Sequence, residues 1–214
     1  RDYLGPRLRA AAPGCEVWLG TLNTDDYDTF ILDVLQDAQA RAYLAGVGFQ
    51  WAGKHAIQRT AMSWPQLRLM QTENECGDGQ NSWAYAHYVF TLLHHYISNG
   101  ASAYLYWNMV LPPGGRSTWG WPQNAMVTVD PAAQTVVYNP EFYVMQHFAH
   151  CVAPGAVRVG LSGAWSGNAV AFANPDGATV VVAANPFDAP KTLTIAGAGT
   201  VTMPASSFNT VVLG

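Results

Sequence analysis

Glu73 closes an apolar run at residues 67–73 (LRLMQTE), and a second acid, Glu75, follows two positions on. An ionisable group at the end of an apolar strand is costly unless it is paired or used. A carboxylate held there can act as a nucleophile or as a general acid–base. The bland alternative is a glutamate solvated in the next loop, which is common at strand ends. Glu75 lies further into the loop at 74–80 and is the less rigidly held of the two. Other side chains suit a neutral, polyhydroxylated ligand, whose apolar faces stack on indoles and whose hydroxyls bond amides. Trp51, Asn23 and the pair Trp107-Asn108 end further apolar runs, while Trp119 and Trp121 sit in a Pro/Gly-rich stretch at 111–122 where no regular core demands them. Packing against neighbouring helices is the ordinary alternative for Trp51 and Trp107.

The remaining reactive residues offer less. His94 and His95 are adjacent on a helical stretch and point apart, and His147 and His150 at i, i+3 form at most half a metal site. No metal or organic cofactor is expected. Cys15, Cys76 and Cys151 have neither disulfide nor zinc spacing, read as buried free thiols, and leave the compartment open. Half of the 214 residues are hydrophobic, 11% are charged and the net charge is −4 without a basic run, which argues against nucleic acid and anionic membranes as partners. No apolar stretch reaches the roughly 18–20 residues of a membrane span. The chain opens at Arg1 with a helical segment already in progress, so we expect a fragment or a processed chain.

The elements that must hold these groups alternate. Strands are predicted at 16–23, 44–51, 67–73 and 101–108. Helices are predicted at 2–12, 27–42 (with Asp25 and Asp26 as cap candidates), 82–98 and 140–150, with a short β-like excursion before the last. This is the βα pattern of a parallel sheet, and at roughly 31 residues per unit it amounts to about half of a (β/α)8 barrel. The mouth at the C-terminal strand ends would gather Asn23, Trp51, Glu73, Trp107 and Asn108. A doubly wound sheet is the alternative, but no glycine-rich phosphate turn follows the first strand. After Pro154-Gly155 the composition shifts to six short β-rich runs separated by turn signals, an antiparallel β-sandwich. We therefore expect an α/β domain over 1–155 and an all-β domain over 156–214.

The sequence resembles glycoside hydrolase family 30, the group of glucosylceramidases, β-1,6-glucanases and related β-glycosidases. The resemblance is carried by LMQTENEC at 69–76, YWNMVL followed by Pro-Pro-Gly-Gly at 106–115, YNPEFYVMQHF at 138–148, the first sandwich strands, and the opening Asp2-Tyr3-Leu4-Gly5-Pro6. It implies a (β/α)8 barrel joined to a β-sandwich, with the four strands here as strands five to eight. It also implies hydrolysis of β-glycosidic bonds with retention. The nucleophile would be Glu73, in the Thr72-Glu73 context, and the partner acid/base glutamate would lie upstream of Arg1 in an Asn-Glu-Pro motif that this sequence lacks. Where many relatives carry His-Trp-Tyr, this chain has Gln50-Trp51-Ala52, so an aromatic hydroxyl near the nucleophile is absent and the substrate class is open.

On this resemblance Trp107 floors a sugar subsite, Asn108 and Asn23 bond hydroxyls, Trp119 and Trp121 line the leaving-group side, and Trp51 and Gln50 are further substrate-binding candidates. The expected substrate is a β-linked carbohydrate or glycolipid, such as a glucosylceramide-like or β-1,6-glucan-like β-glucoside. A secreted or extracellular location is expected, and the oligomeric state is open. The 214-residue chain alone is expected to be inactive or nearly so, and to self-associate. The rival reading is a non-catalytic carbohydrate-binding sandwich with a barrel remnant. Against it, the sandwich offers only Trp165, Phe172, Phe187 and Phe208 as aromatics.

Overall fold

The computed structural model describes residues 1–214. In chain order the elements are α1 (Leu4–Ala11), β1 (Val17–Leu22), a π-helical turn (Asp28–Leu32), α2 (Asp33–Leu35), α3 (Ala38–Arg41), β2 (Leu44–Gln50), a 3₁₀ turn (Trp51–His55), α4 (Ile57–Ser63), β3 (Arg68–Glu73), α5 (Trp83–Ser98) and β4 (Ala101–Tyr104). Then follow β5 (Val110–Leu111), β6 (Val127–Asp130), β7 (Thr135–Tyr138), α6 (Pro140–Cys151), β8 (Val157–Val159), a 3₁₀ turn (Ser166–Asn168), β9 (Ala169–Ala173), β10 (Thr179–Asn185), β11 (Lys191–Ile195), β12 (Gly199–Met203) and β13 (Ser207–Leu213). They form two compact units, one of Arg1–Glu75 with His95–Tyr106, the other of Cys76–His94 with Trp107–Gly214. No helix is long and apolar enough to cross a membrane.

The first unit holds a parallel sheet in the order β1-β2-β3-β4, each strand beside its sequence neighbour. Consecutive parallel strands joined by helical segments are barrel βα units, and four of them make half of the eight in a closed barrel. Strand β2 is the central run, with Gly46 to Phe49 buried, as expected of a parallel strand covered on both faces. Gly46 is required there, because a Cβ would stand 2.2 Å from the Arg68 carbonyl oxygen and 2.4 Å from the Trp18 ring.

Two predicted elements differ. The helix expected over 27–42 is broken into a π turn and two short α segments. At Asp37 the backbone is extended (φ −75°, ψ 106°) and its carboxylate accepts from the Gln39 and Ala40 N–H groups, starting a new helix in mid-run. Asp26 does cap the earlier turn, accepting from the Thr29 N–H at 3.1 Å. The fourth strand ends at Tyr104, not at Asn108, so Trp107 and Asn108 belong to the connection that follows.

The second unit holds a three-stranded sheet β5-β6-β7 (the short β excursion before α6) and, beyond residue 155, an antiparallel sheet in the order β13-β10-β9-β8 with β11–β12 as a separate hairpin. All six strands beyond residue 155 coincide with the predicted β-rich runs. Ala169, Ala171, Val181 and Ala183 pack against Leu193 and Met203 of the hairpin. The alternate residues of β9 and β10 are buried as well, with Phe172 meeting Phe148 of α6 edge-on at 6.3 Å. Small residues on one face and larger ones on the other thus let the central strands serve two layers. Cys76 is buried, Cys151 half-buried and Cys15 exposed, so the expectation of buried thiols holds for the first and fails for Cys15, which lies in the turn after α1.

Candidate active site

Glu73 is the last residue of β3, half-buried at the C-terminal edge of the parallel sheet. The β2–β3 register pairs Phe49 with Gln71 and then Gln50 with Glu73, so Thr72 is an extra residue, a bulge immediately before the carboxylate. Bulges re-aim the next side chain and recur beside active sites. This one is stapled in place: the Thr72 hydroxyl donates to the Phe49 carbonyl at 3.0 Å and also bonds the Thr21 hydroxyl of β1. One residue earlier in the ladder, buried Gln71 accepts the Leu105 N–H at 2.8 Å through its side-chain oxygen.

The carboxylate has a directed donor. Trp51 Nε1 donates to Glu73 Oε1 at 2.7 Å, which is short for an N–H···O bond and typical of one made to a charged acceptor. Trp51 is the first residue of the 3₁₀ turn after β2, and its φ of 45° puts a bulky aromatic in the left-handed region. The turn brings Lys54 back over it: Lys54 Nζ donates to the Trp51 carbonyl at 3.2 Å and forms an ion pair with Glu75. His95 Nε2 bonds the Lys54 carbonyl oxygen at 2.8 Å. Glu75 is therefore paired with a cation, whereas Glu73 is held through a neutral donor that orients it without neutralising it. Gln50 is half-buried beside Trp51, and Asn23 is exposed, one residue past β1 on the same edge of the sheet.

The other sequence-predicted residues lie in the second unit. Trp107 is exposed. Asn108 is buried, and its amide donates to the Asn124 carbonyl at 3.1 Å while its own carbonyl accepts the Met126 N–H, so its NH₂ group anchors a loop. Trp119 and Trp121 are exposed with ring centroids 5.6 Å apart and planes 31° apart. Their backbone N–H groups both reach the Ser117 hydroxyl, and Arg116 donates to the Gly120 carbonyl at 2.7 Å, fixing a tight loop that presents two indole faces. Of the sandwich aromatics, Phe172 and Phe208 are buried and Trp165 packs on the core, which leaves Phe187 as the exposed ring.

Sequence reasoning missed Lys54 and the donor role of Trp51. The signal was present. Lys54 is one of only two lysines in the chain, and it stands three residues after a tryptophan at a strand end, the spacing of one 3₁₀ turn. Reading the missing aromatic hydroxyl as a missing donor also overlooked the indole N–H beside it.

Comparison with known proteins agrees with this architecture. Residues 1–152 match the profile described as the glycosyl hydrolase family 30 TIM-barrel domain, and residues 155–211 match the family 30 beta sandwich domain. The chain belongs to glycosyl hydrolase family 30. It is 30% identical over 208 residues to putative glucosylceramidase 2 of Caenorhabditis elegans, covering 86% of this chain and 40% of that protein. It is 26% identical over 172 residues to the lysosomal acid glucosylceramidase of Mus musculus, covering 71% and 33%. The crystal structure of SrfJ from Salmonella typhimurium has the same fold, with a TM-score of 0.82 at 23% identity over 99% of this chain and 50% of that one. The chain thus spans half or less of the length of these three relatives.

Proposed function

We propose that the intact protein is a retaining β-glycoside hydrolase acting on a β-glucoside, with Glu73 as nucleophile. The observation that carries the reading is the carboxylate itself. Glu73 stands past a bulge at the C-terminal edge of a family 30 barrel sheet, with one oxygen held at 2.7 Å by an indole N–H. In the first step the second carboxylate oxygen attacks the anomeric carbon, forming a glycosyl-enzyme ester while a second carboxyl group protonates the departing oxygen. In the next, that group takes a proton from water, which displaces Glu73 with overall retention. That second group belongs to the whole protein, and retention requires it about 5–5.5 Å from Glu73. The indole bond limits rotation of the carboxylate, the ordering that covalent catalysis depends on.

The glucosylceramidase relatives favour a glucoside, with a glycolipid or a β-linked glucan as the aglycone-bearing substrate. The exposed Trp119–Trp121 pair offers two indole faces of the kind on which sugars and apolar chains stack. A secreted or extracellular location is part of this reading. The test is to incubate the intact protein with a 2-deoxy-2-fluoro-β-glucosyl fluoride and map the labelled peptide. The expected label is on Glu73, and Glu73→Gln should lower kcat by about 10³-fold or more. A label on Glu75 or any other residue overturns the assignment.

A further inference from the structure

Glu75 and Lys54 have no part in the bond-breaking just described, yet they are half-buried and joined to the residue that holds the nucleophile. We propose that Lys54 and Glu75 form a clamp that sets the conformation of Trp51 and, through its indole N–H, the aim of Glu73. They are positioning residues. The proposal rests on the reading of Glu73 as nucleophile.

The geometry runs in one direction. Trp51 at φ 45° is in the left-handed region, which is unfavourable for an L-residue with a bulky side chain. Such a conformation persists only where its surroundings over-determine it. Here three specific bonds contribute to that. The Trp51 carbonyl accepts from Lys54 Nζ at 3.2 Å, its indole donates to Glu73 at 2.7 Å, and the Lys54 ammonium is itself fixed by Glu75. Lys54 is anchored at its other end, where its carbonyl oxygen meets His95 Nε2 of α5 at 2.8 Å.

The Lys54 and Glu75 side chains are only 21% and 23% exposed. A lysine three residues along a 3₁₀ turn lies directly over the carbonyl it must hold. A hydrophobic residue of equal length would leave that carbonyl without its cation and remove the Lys54 partner from Glu75. Because the pair is mostly buried, removing one partner also lowers stability, but the clamp acts on the nucleophile's donor. Its effect falls on the orientation of the indole.

Two readouts test the clamp in the intact protein. The first is the rate of covalent labelling of Glu73 by the 2-fluoro glucosyl fluoride. The second is the ¹H–¹⁵N resonance of the Trp51 indole, assigned by its loss in Trp51→Phe. In Lys54→Met the labelling rate should fall by about tenfold or more, since small misplacements of reacting groups carry penalties of that order. The indole resonance should move upfield as its bond to the carboxylate lengthens. Lys54→Arg, which restores a cation able to reach both the carbonyl and Glu75, should recover most of the rate and the shift. Should Lys54→Met fold poorly, Glu75→Gln carries the same prediction at smaller amplitude. A Lys54→Met protein that labels within about twofold of the parent, with the indole resonance unmoved, overturns the clamp. Failure of the parent to label at Glu73 overturns the hydrolase reading instead, and the indole resonance still reports whether Lys54 sets Trp51.

Discussion

Glu73, Glu75 and Glu141 are three carboxyl groups with three different surroundings. Glu73 has an indole N–H and Glu75 a cation, while Glu141 is fully buried in the first turn of α6, where the Asn124 amide donates to Oε1 at 2.6 Å. Its Oε2 is buried without a partner. Burial pushes the Glu141 carboxyl above the ordinary value of 4.5, and Asp78 nearby adds to the rise. The consequence for stability has a definite sign. Between the ordinary and the raised value the folded chain binds more protons than the unfolded one, so stability is fully present below 4.5 and is lost as pH rises through the folded value. Glu141→Gln keeps the acceptor for Asn124 and cannot ionise. Thermal unfolding followed against pH should show the substituted protein losing less stability than the parent on the alkaline side of that window. His87 and His147, both pushed down by burial, act in the opposite sense on the acid side and are common to both proteins, so the difference between the profiles isolates Glu141. Parallel profiles would mean that Glu141 is already ionised in the fold.

Asn124 is also where the loop at 76–81 is fastened, by backbone groups that sequence periodicity does not reveal. Its side-chain oxygen accepts the Gly79 N–H at 2.7 Å and the Asn81 N–H at 3.3 Å, and its backbone N–H reaches the Cys76 carbonyl at 2.6 Å. Gly77, at φ 73°, passes so close that a Cβ would lie 2.5 Å from the Asn124 side chain. Gly77→Ala combines left-handed strain with overpacking and should destabilise the protein by about 2–4 kcal/mol, read as a shift in the denaturant midpoint. An unchanged midpoint would show that the loop is free to move aside. This contrast explains what the sequence made legible. The strands and the helix of 83–98 were readable because burial imposes a period on them, and Glu73 stood out because it interrupts an apolar run. The break at Asp37 was not, since a capping aspartate within a helical pattern looks like any polar residue until its backbone turns. The end of β4 at Tyr104 was hidden for a related reason: the run 101–108 stays apolar after its ladder has ended. The bulge at Thr72 and the Lys54–Trp51 bond depend on register and on turn geometry, which composition and periodicity do not encode.

The 214-residue chain, prepared by itself, carries an open sheet. In the order β1-β2-β3-β4 the outer edges of β1 and β4 have no neighbouring strand, and such an edge is the usual template for pairing with another chain. Little opposes that pairing, because only 11% of the residues are charged and the net charge is −4, a weak repulsion for a surface with exposed Leu105, Val136, Val137 and Tyr138. Natural edges are protected by lysine or proline, and β4 (Ala101-Ser102-Ala103-Tyr104) has neither. The chain alone is therefore expected to self-associate, with a weight-average mass in sedimentation equilibrium that rises with concentration. Ala103→Lys places a charge on the exposed face of β4 and should lower that mass without changing the melting temperature by more than about 2 °C. A chain that sediments as a monomer at every concentration would show that both edges are covered by its own residues, and Ala103→Lys would then have no effect on its mass.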